Sequence, residues 1–443
     1  MSICVVNAQS LKQKMGQMVI VTPAGKAMTA NDSLDLLQHN VGGFIFYKAN
    51  ITSKAQITKF NDDLKSYAKT IPFLCLDQEG GRVVRLDASN GFLKSRSAYE
   101  LGTLFNNEDS TRFWSSTMAG WFVQVGANVN FAPVADVLIN PTGVIGSLSR
   151  SYSTDTLTVA KHAGYFIEEF EKESILTSIK HFPGHGSAQT DSHDGFTDVT
   201  NYWTRKELYP FSALIKDNNV PMVMIGHLYN AKIDDQYPAT LSEKTVDGIL
   251  RKELGYNGIV ITDDIFMGAI SLNYSFEEAV IMSVKAGCDI ILCNRSSMSH
   301  RGETKRVVDV ITTILDSAVS VGAITETRIN ESLARIENAK KKLEPLSVQF
   351  AENTLPNSML LHQNYPNPFN PTTTISFELA EESNVQLTVY SVLGEQKRLL
   401  AHGNYSAGKH EFVFDASALG SGIYFYTLSS NSGTITKKML LLK

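Results

Sequence analysis

From residue 17 to 294 the chain alternates short β-branched or apolar runs with longer windows in which apolar positions recur three and four apart. Eight such runs stand out: Gln17 to Thr22, Val41 to Tyr47, Ile71 to Asp77, Ala127 to Val134, Leu176 to Phe182, Val220 to His227, Gly258 to Asp263 and Cys288 to Asn294. Continuous apolar runs suit parallel strands buried on both faces, and the intervening windows suit the helical crossovers such strands need. Ile57, Phe60 and Leu64 make one helical face, behind a Ser53-x-x-Gln56 capping box. Eight βα units predict an α/β protein built on a (β/α)8 TIM barrel, with a doubly wound open sheet as the alternative. A last window from Thr325 to Leu343, with Ile329, Leu333, Ile336 and Leu343 on one face, predicts the helix that completes the barrel.

Beyond it the texture changes. A polar stretch around Pro356 leads to Asn364-Tyr365-Pro366-Asn367-Pro368-Phe369-Asn370-Pro371, where three prolines in six residues forbid helix and mark a boundary. Period-two alternation follows in Thr374 to Leu379, Val385 to Tyr390, Glu411 to Phe414 and Ile423 to Leu428, and the run ending at Lys443 reads as a final strand. Alternation at this spacing predicts a small all-β sandwich. The expected division is a leader remnant over 1–8, a barrel over 9–345, a linker over 346–360 and the sandwich over 361–443. The leader reading rests on the apolar start ending in Val6-x-Ala8, a cleavage-like triplet without a basic region before it.

Composition narrows the chemistry. The 443 residues suffice for a barrel and a smaller module, and a net charge of -5 offers no basic footprint for nucleic acid. A neutral, sugar-like substrate is expected. No apolar run approaches the roughly 20 residues that span a bilayer. The cysteines are 4, 75, 288 and 293; the last three sit in apolar runs, and Cys288 and Cys293 placed on one strand would face opposite ways, so no disulfide framework is expected.

In a barrel of this kind catalytic groups lie at the C-terminal ends of the strands. Four runs end in polar groups there: the third in Asp77-Gln78-Glu79-Gly80-Gly81-Arg82-Val83-Val84-Arg85, the fifth in Lys180-His181, the sixth in His227 and the seventh in Asp263-Asp264. Any one of them alone is as readily a turn or cap residue; their coincidence on one rim is the signal. After the fifth run comes Pro183-Gly184-His185-Gly186, then Asp191-Ser192-His193. A carboxylate two residues before an imidazole on a loop can act as an acid/base dyad, Asp191 orienting the ring of His193. Asp263, set rigidly after Gly258 to Thr262, is the candidate nucleophile of a glycosidase, and Asp264 the structural neighbour. A metal site at His181, His185 and His193 is disfavoured because Pro183 and Gly184 keep the first two off one helical face. No cofactor is expected.

These residues resemble the family 3 glycoside hydrolases, and within them the single-barrel β-N-acetylglucosaminidases. The likeness is carried by Lys180 to Gly186 with Asp191-Ser192-His193, by Asp77 to Arg85 and by Ile261 to Asp264, and more weakly by Phe131 to Val137 and Pro238 to Ser242. The resemblance implies a retaining double displacement with Asp263 as nucleophile and the Asp191/His193 pair as acid/base. It also implies that Asp77, Arg85, Lys180 and His181 form the sugar pocket, joined by Arg150 of Arg150-Ser151-Tyr152. Ser187 departs from the acidic residue common at that position, which bears on loop conformation and leaving-group preference. The implied substrate is an oligosaccharide with β-linked GlcNAc, derived from chitin or peptidoglycan.

The C-terminal module resembles the sorting domains of the type IX secretion system, through Asn364 to Pro371, Val389-Tyr390-Ser391-Val392-Leu393-Gly394 and Gly420 to Tyr424. That resemblance implies the type IX machinery as partner, passage through the periplasm of a Gram-negative, Bacteroidota-like cell, and a secreted or surface location. The alternatives are a β-glucosidase, a phosphorylase using the same site with phosphate as acceptor, and an inactive surface protein that binds carbohydrate. The β module could itself bind sugar, but its alternating aromatics suit a sandwich core.

Overall fold

The computed structural model describes residues 10–192, 195–217, 220–300, 302–343, 359–364, 367–392, 394–431 and 433–442. The expected leader over 1–8, Cys4 and His193 lie outside them. The chain divides into two compact units, Met1–Leu346 and Ser347–Lys443.

The first unit is built on one parallel eight-stranded sheet. Its strands are β1 Val19–Val21, β2 Gly43–Phe46, β3 Phe73–Leu76, β4 Val129–Asn130, β5 Leu176–Phe182, β6 Met222–Ile225, β7 Ile259–Thr262 and β8 Ile291–Cys293. They follow one another in chain order, with β8 beside β1. A parallel bridge between Ile261 and Ile290 joins β7 to the entry of β8 and closes the barrel. Each strand falls inside one of the eight apolar runs, and nearly all are shorter than their run, because the flanking residues turn outward to begin the loops. The open-sheet alternative is thereby excluded.

Helices cross between the strands as the 3.6-residue pattern requires. Lys54–Tyr67 buries Ile57, Phe60 and Leu64. Its expected capping box is half formed: Ser53 accepts from Gln56 N, whereas Gln56 Oε1 takes the amide of Thr52 instead. Glu326–Lys341 buries Ile329, Leu333 and Ile336 after an N-cap at Thr325. Cys288 precedes β8 rather than sharing a strand with Cys293, and Cys75, Cys288 and Cys293 are buried free thiols. Burial pushes the Cys288 thiol up to about 12.

Asp289, at the N-terminal end of β8, fastens the bottom of the barrel. Its carboxylate takes Arg251 at 2.6 Å, Arg335 at 3.0 Å and Arg328 at 3.2 Å, and the amide of Val260 at the head of β7.

The second unit is an antiparallel sandwich. One sheet pairs β9 Leu360–Leu361, β10 Thr372–Leu379 and β13 Gly408–Asp415; the other orders β12 Gln396–Tyr405, β11 Ser383–Ser391, β14 Gly422–Ser430 and β15 Gly433–Leu441. Ile375 and Phe377 from the first sheet meet Val385, Leu387, Val389, Tyr426, Leu428 and Met439 from the second to fill its core. The proline-rich segment is part of this fold. Asn367 Oδ1 accepts from Leu440 N at 2.8 Å, Asn364 Nδ2 donates to Thr373 Oγ1, and Phe369 is buried.

Candidate active site

The polar groups after the strands meet on one rim. Asp77, directly after β3, receives Lys180 Nζ on Oδ1 at 2.8 Å and Arg85 on Oδ2 at 2.9 Å. Lys180, within β5, also reaches Glu79 Oε1 at 2.7 Å. Glu79 in turn holds Arg150 by two contacts of 2.8 Å, from Nε and from a terminal nitrogen. Such fork-to-fork pairing fixes orientation as well as charge. Arg150 touches His181 Nε2 at 3.2 Å, and His181 Nδ1 lies 2.7 Å from Asp136 Oδ2. Five of the expected site residues, Asp77, Arg85, Arg150, Lys180 and His181, therefore form one connected network.

The electrostatics follow from this pairing. Burial would raise the carboxyls of Asp77 and Glu79, but Lys180 with Arg85 outweighs it at the first, and Arg150 with Lys180 at the second, holding both below the usual range. Lys180 is fully enclosed yet raised, because Asp77 and Glu79 outweigh the cost of burial. Each Asp77 oxygen accepts one donor here, and a carboxylate oxygen has room for about two, leaving acceptor capacity for a ligand's hydroxyls.

Asp263 stands at the end of β7, its amide donating to Ile225 O at 3.0 Å. Tyr47, directly after β2, is a phenol that feels the charges of this mouth. Burial pushes its phenol up first, and the charges of Asp77, Asp264 and Asp263 add to this while Arg85 opposes; the Arg85 guanidinium lies 5.2 Å from its ring centre. Asp264 turns inward. Its Oδ1 accepts the amides of Asn294 and Phe266, and burial lifts its carboxyl to about 6. His227 is a support rather than a rim group: its ring bonds Thr240 Oγ1 at 2.7 Å and the Asp264 carbonyl at 2.9 Å. Asp191 is partly buried on the arm after β5, and the placement of His193 beside it lies outside the described residues.

Sequence reasoning assigned no role to Glu79, Asp136 or Glu207. Glu79 and Asp136 sit in the quoted motifs, but their partners are 71 and 45 residues away. Only the strand order brings them together.

A closed eight-stranded βα barrel with paired carboxylate, lysine and arginine side chains gathered at its C-terminal mouth has the architecture of a barrel enzyme with its site at that end. The chain belongs to glycosyl hydrolase family 3: residues 10–339 match the family's N terminal domain. Residues 363–442 match the secretion system C-terminal sorting domain. Beta-hexosaminidase A of Pseudoalteromonas piscicida is 30% identical over 72% of this chain, which spans 57% of that protein's length. The Beta-hexosaminidase of Idiomarina loihiensis is 33% identical over 62% of this chain and 83% of its own. Among solved structures, a family 3 beta-N-acetylglucosaminidase from Paenibacillus sp. str. FPU-7 is 32% identical, with a TM-score of 0.70 over 76% of this chain and 63% of that one.

Proposed function

We propose that the protein is an exported, retaining exo-β-N-acetylglucosaminidase that releases terminal GlcNAc from chitin- or peptidoglycan-derived oligosaccharides. The observation that carries this reading is the Asp77–Lys180–Glu79–Arg150 network at the same C-terminal mouth of the barrel as Asp263, in a family whose relatives are named for hexosaminidase activity. In this mechanism Asp77, with Arg85, Lys180, His181 and Arg150, holds the hydroxyls of the terminal sugar. Asp263 attacks the anomeric carbon and forms a glycosyl-enzyme as His193, oriented by Asp191, protonates the departing oxygen. Water then enters, His193 removes its proton, and the C1–Asp263 bond breaks with overall retention. The match over residues 363–442 supports export, and in this reading the type IX machinery carries the protein through the periplasm to the cell surface or beyond.

The test is turnover of an aryl β-GlcNAc with the first-formed anomer followed by NMR. Wild type is expected to release β-GlcNAc, and Asp263→Asn to lose at least about 10³-fold in kcat while still binding GlcNAc. Full activity in that variant, or GlcNAc 1-phosphate as the main product in phosphate buffer, overturns the reading.

A further inference from the structure

We propose that His185 and Glu207 are positioning residues that seat the arm following β5, with Ser192 as the point where this arm is joined to the segment carrying Asp263. The catalytic consequence rests on the glycosidase reading above; the seating itself does not.

The arm leaves β5 with almost no clearance. At Gly184 (φ +125°) a Cβ would lie 2.8 Å from Glu207 Cβ, and at Gly186 one would lie 1.6 Å from the carbonyl oxygen of Val137. Only glycine allows both approaches. Polar contacts then hold what the glycines admit. Trp203 Nε1 donates to Pro183 O at 3.0 Å, Asn140 Nδ2 donates to Ala188 O at 2.9 Å, and Ser187 N donates to Glu207 Oε2 at 3.3 Å. His185 N donates to Asp136 Oδ1 at 2.8 Å. Its ring Nε2 lies 3.2 Å from Ser192 Oγ.

Ser192 is buried, and its carbonyl accepts from Ala269 N at 3.2 Å. Ala269 belongs to the short helix Gly268–Ser271 that follows Asp263 and Asp264. Ser192 is thus fastened by its side chain to the foot of the arm and by its backbone to the nucleophile's own segment. Asp191 and His193 are its neighbours in the sequence. Fixing Ser192 sets the origin from which the Asp191 side chain extends, and an error of about 1 Å in placing a catalytic group costs about 10²-fold in rate.

Burial shifts both supports toward their neutral forms. Burial first, then His181, push the His185 ring down to about 4, with Asp136 opposing and Arg150 adding. Burial lifts Glu207 to about 8, and Asp136 adds to the rise, while the bonds from Ser187 and Thr204 oppose it. Asp136, His181 and Arg150 are the charged or titratable groups facing this pair from the neighbouring strand ends. Above about pH 8 Glu207 gains a charge beneath the arm.

Ser192→Ala, His185→Gln, Glu207→Ala and Glu207→Gln test the proposal by amide exchange and by kinetics. Amide exchange across residues 187–192 is expected to rise at least tenfold in Ser192→Ala and His185→Gln. On chitobiose, whose leaving group needs a proton, kcat is expected to fall about 10- to 100-fold in these variants with KM within twofold, and to fall less on an activated aryl β-GlcNAc. Glu207→Ala, which removes the acceptor of Ser187 N, is expected to lower kcat on chitobiose about tenfold at pH 7 with KM within twofold, and Glu207→Gln to recover most of that loss. Unchanged exchange in Ser192→Ala overturns the seating. Equal losses on both substrates with a lowered Tm, or a Glu207→Ala variant as active as wild type, overturn the positioning roles. Absence of glycosidase turnover in wild type defeats the functional reading alone, because exchange still judges the seating.

Discussion

The two ends of the barrel each bury a cluster of ion pairs, and they differ in what the cluster leaves open. At the bottom, Asp289 meets three arginines, Ser332 at 2.8 Å and a backbone amide, and its side chain is 0% exposed. At the mouth, Asp77 meets two cations and keeps 14% of its side chain exposed. Both carboxyls lie below their usual range, burial being outweighed by Lys180 and Arg85 at the mouth and by three arginines at the bottom. A depressed carboxyl therefore does not mark function here. What separates the clusters is spare acceptor capacity facing the open end of the strands. Their acid behaviour is shared: each contributes stability that is complete above the unfolded value of roughly 3.9 and is lost as pH falls through the lower folded value.

The sharpest way to break the comparison is to remove one cation from the mouth. Lys180→Met removes one cation from each of Asp77 and Glu79 while Arg85 and Arg150 remain, so the loss of two charge-assisted bonds, about 3–5 kcal/mol, is expected in denaturant unfolding, along with at least a tenfold rise in KM for the folded fraction. A normal KM would place Lys180 outside the sugar pocket. Asp289→Asn makes the matching cut at the bottom. It is expected to cost about 3 kcal/mol by the same mechanism while kcat/KM per folded molecule stays within twofold, and a specific kinetic defect would show that the bottom is coupled to the mouth.

The smallest effect belongs to Lys340, also at the bottom. Its ammonium donates to Gln17 Oε1 at 2.7 Å and Gly42 O at 3.2 Å and sits 4.7 Å from the Phe73 ring centre, and burial lowers it from 10.5 to about 7. The unfolded chain then binds the extra proton between these values, so stability climbs as pH rises from about 7 toward 10.5. Lys340→Met is expected to flatten that climb and to raise stability at pH 6 by about 1 kcal/mol, read from urea midpoints across pH.

The eight barrel strands were legible because buried parallel strands require continuous apolar runs, and the rim was legible because that topology fixes which strand ends gather. The sandwich strand Gln396–Tyr405 was not: it is an edge strand exposed along much of its length, so no alternation marks it. Glu79 stayed hidden beside Gly80, since nothing local announces a partner 71 residues on. Glu207 was hidden for a different reason. A buried carboxylic acid under a loop has the same sequence signature as an exposed one on a helix's first turn.

Lys180 serves two carboxylates and Glu79 two cations, and this sharing restricts how the rim can evolve. A single charge change at Lys180 or Glu79 unbalances two partners at once in a dry place. Substitutions at residues 77, 79, 150 and 180 are therefore coupled, and their energies do not add.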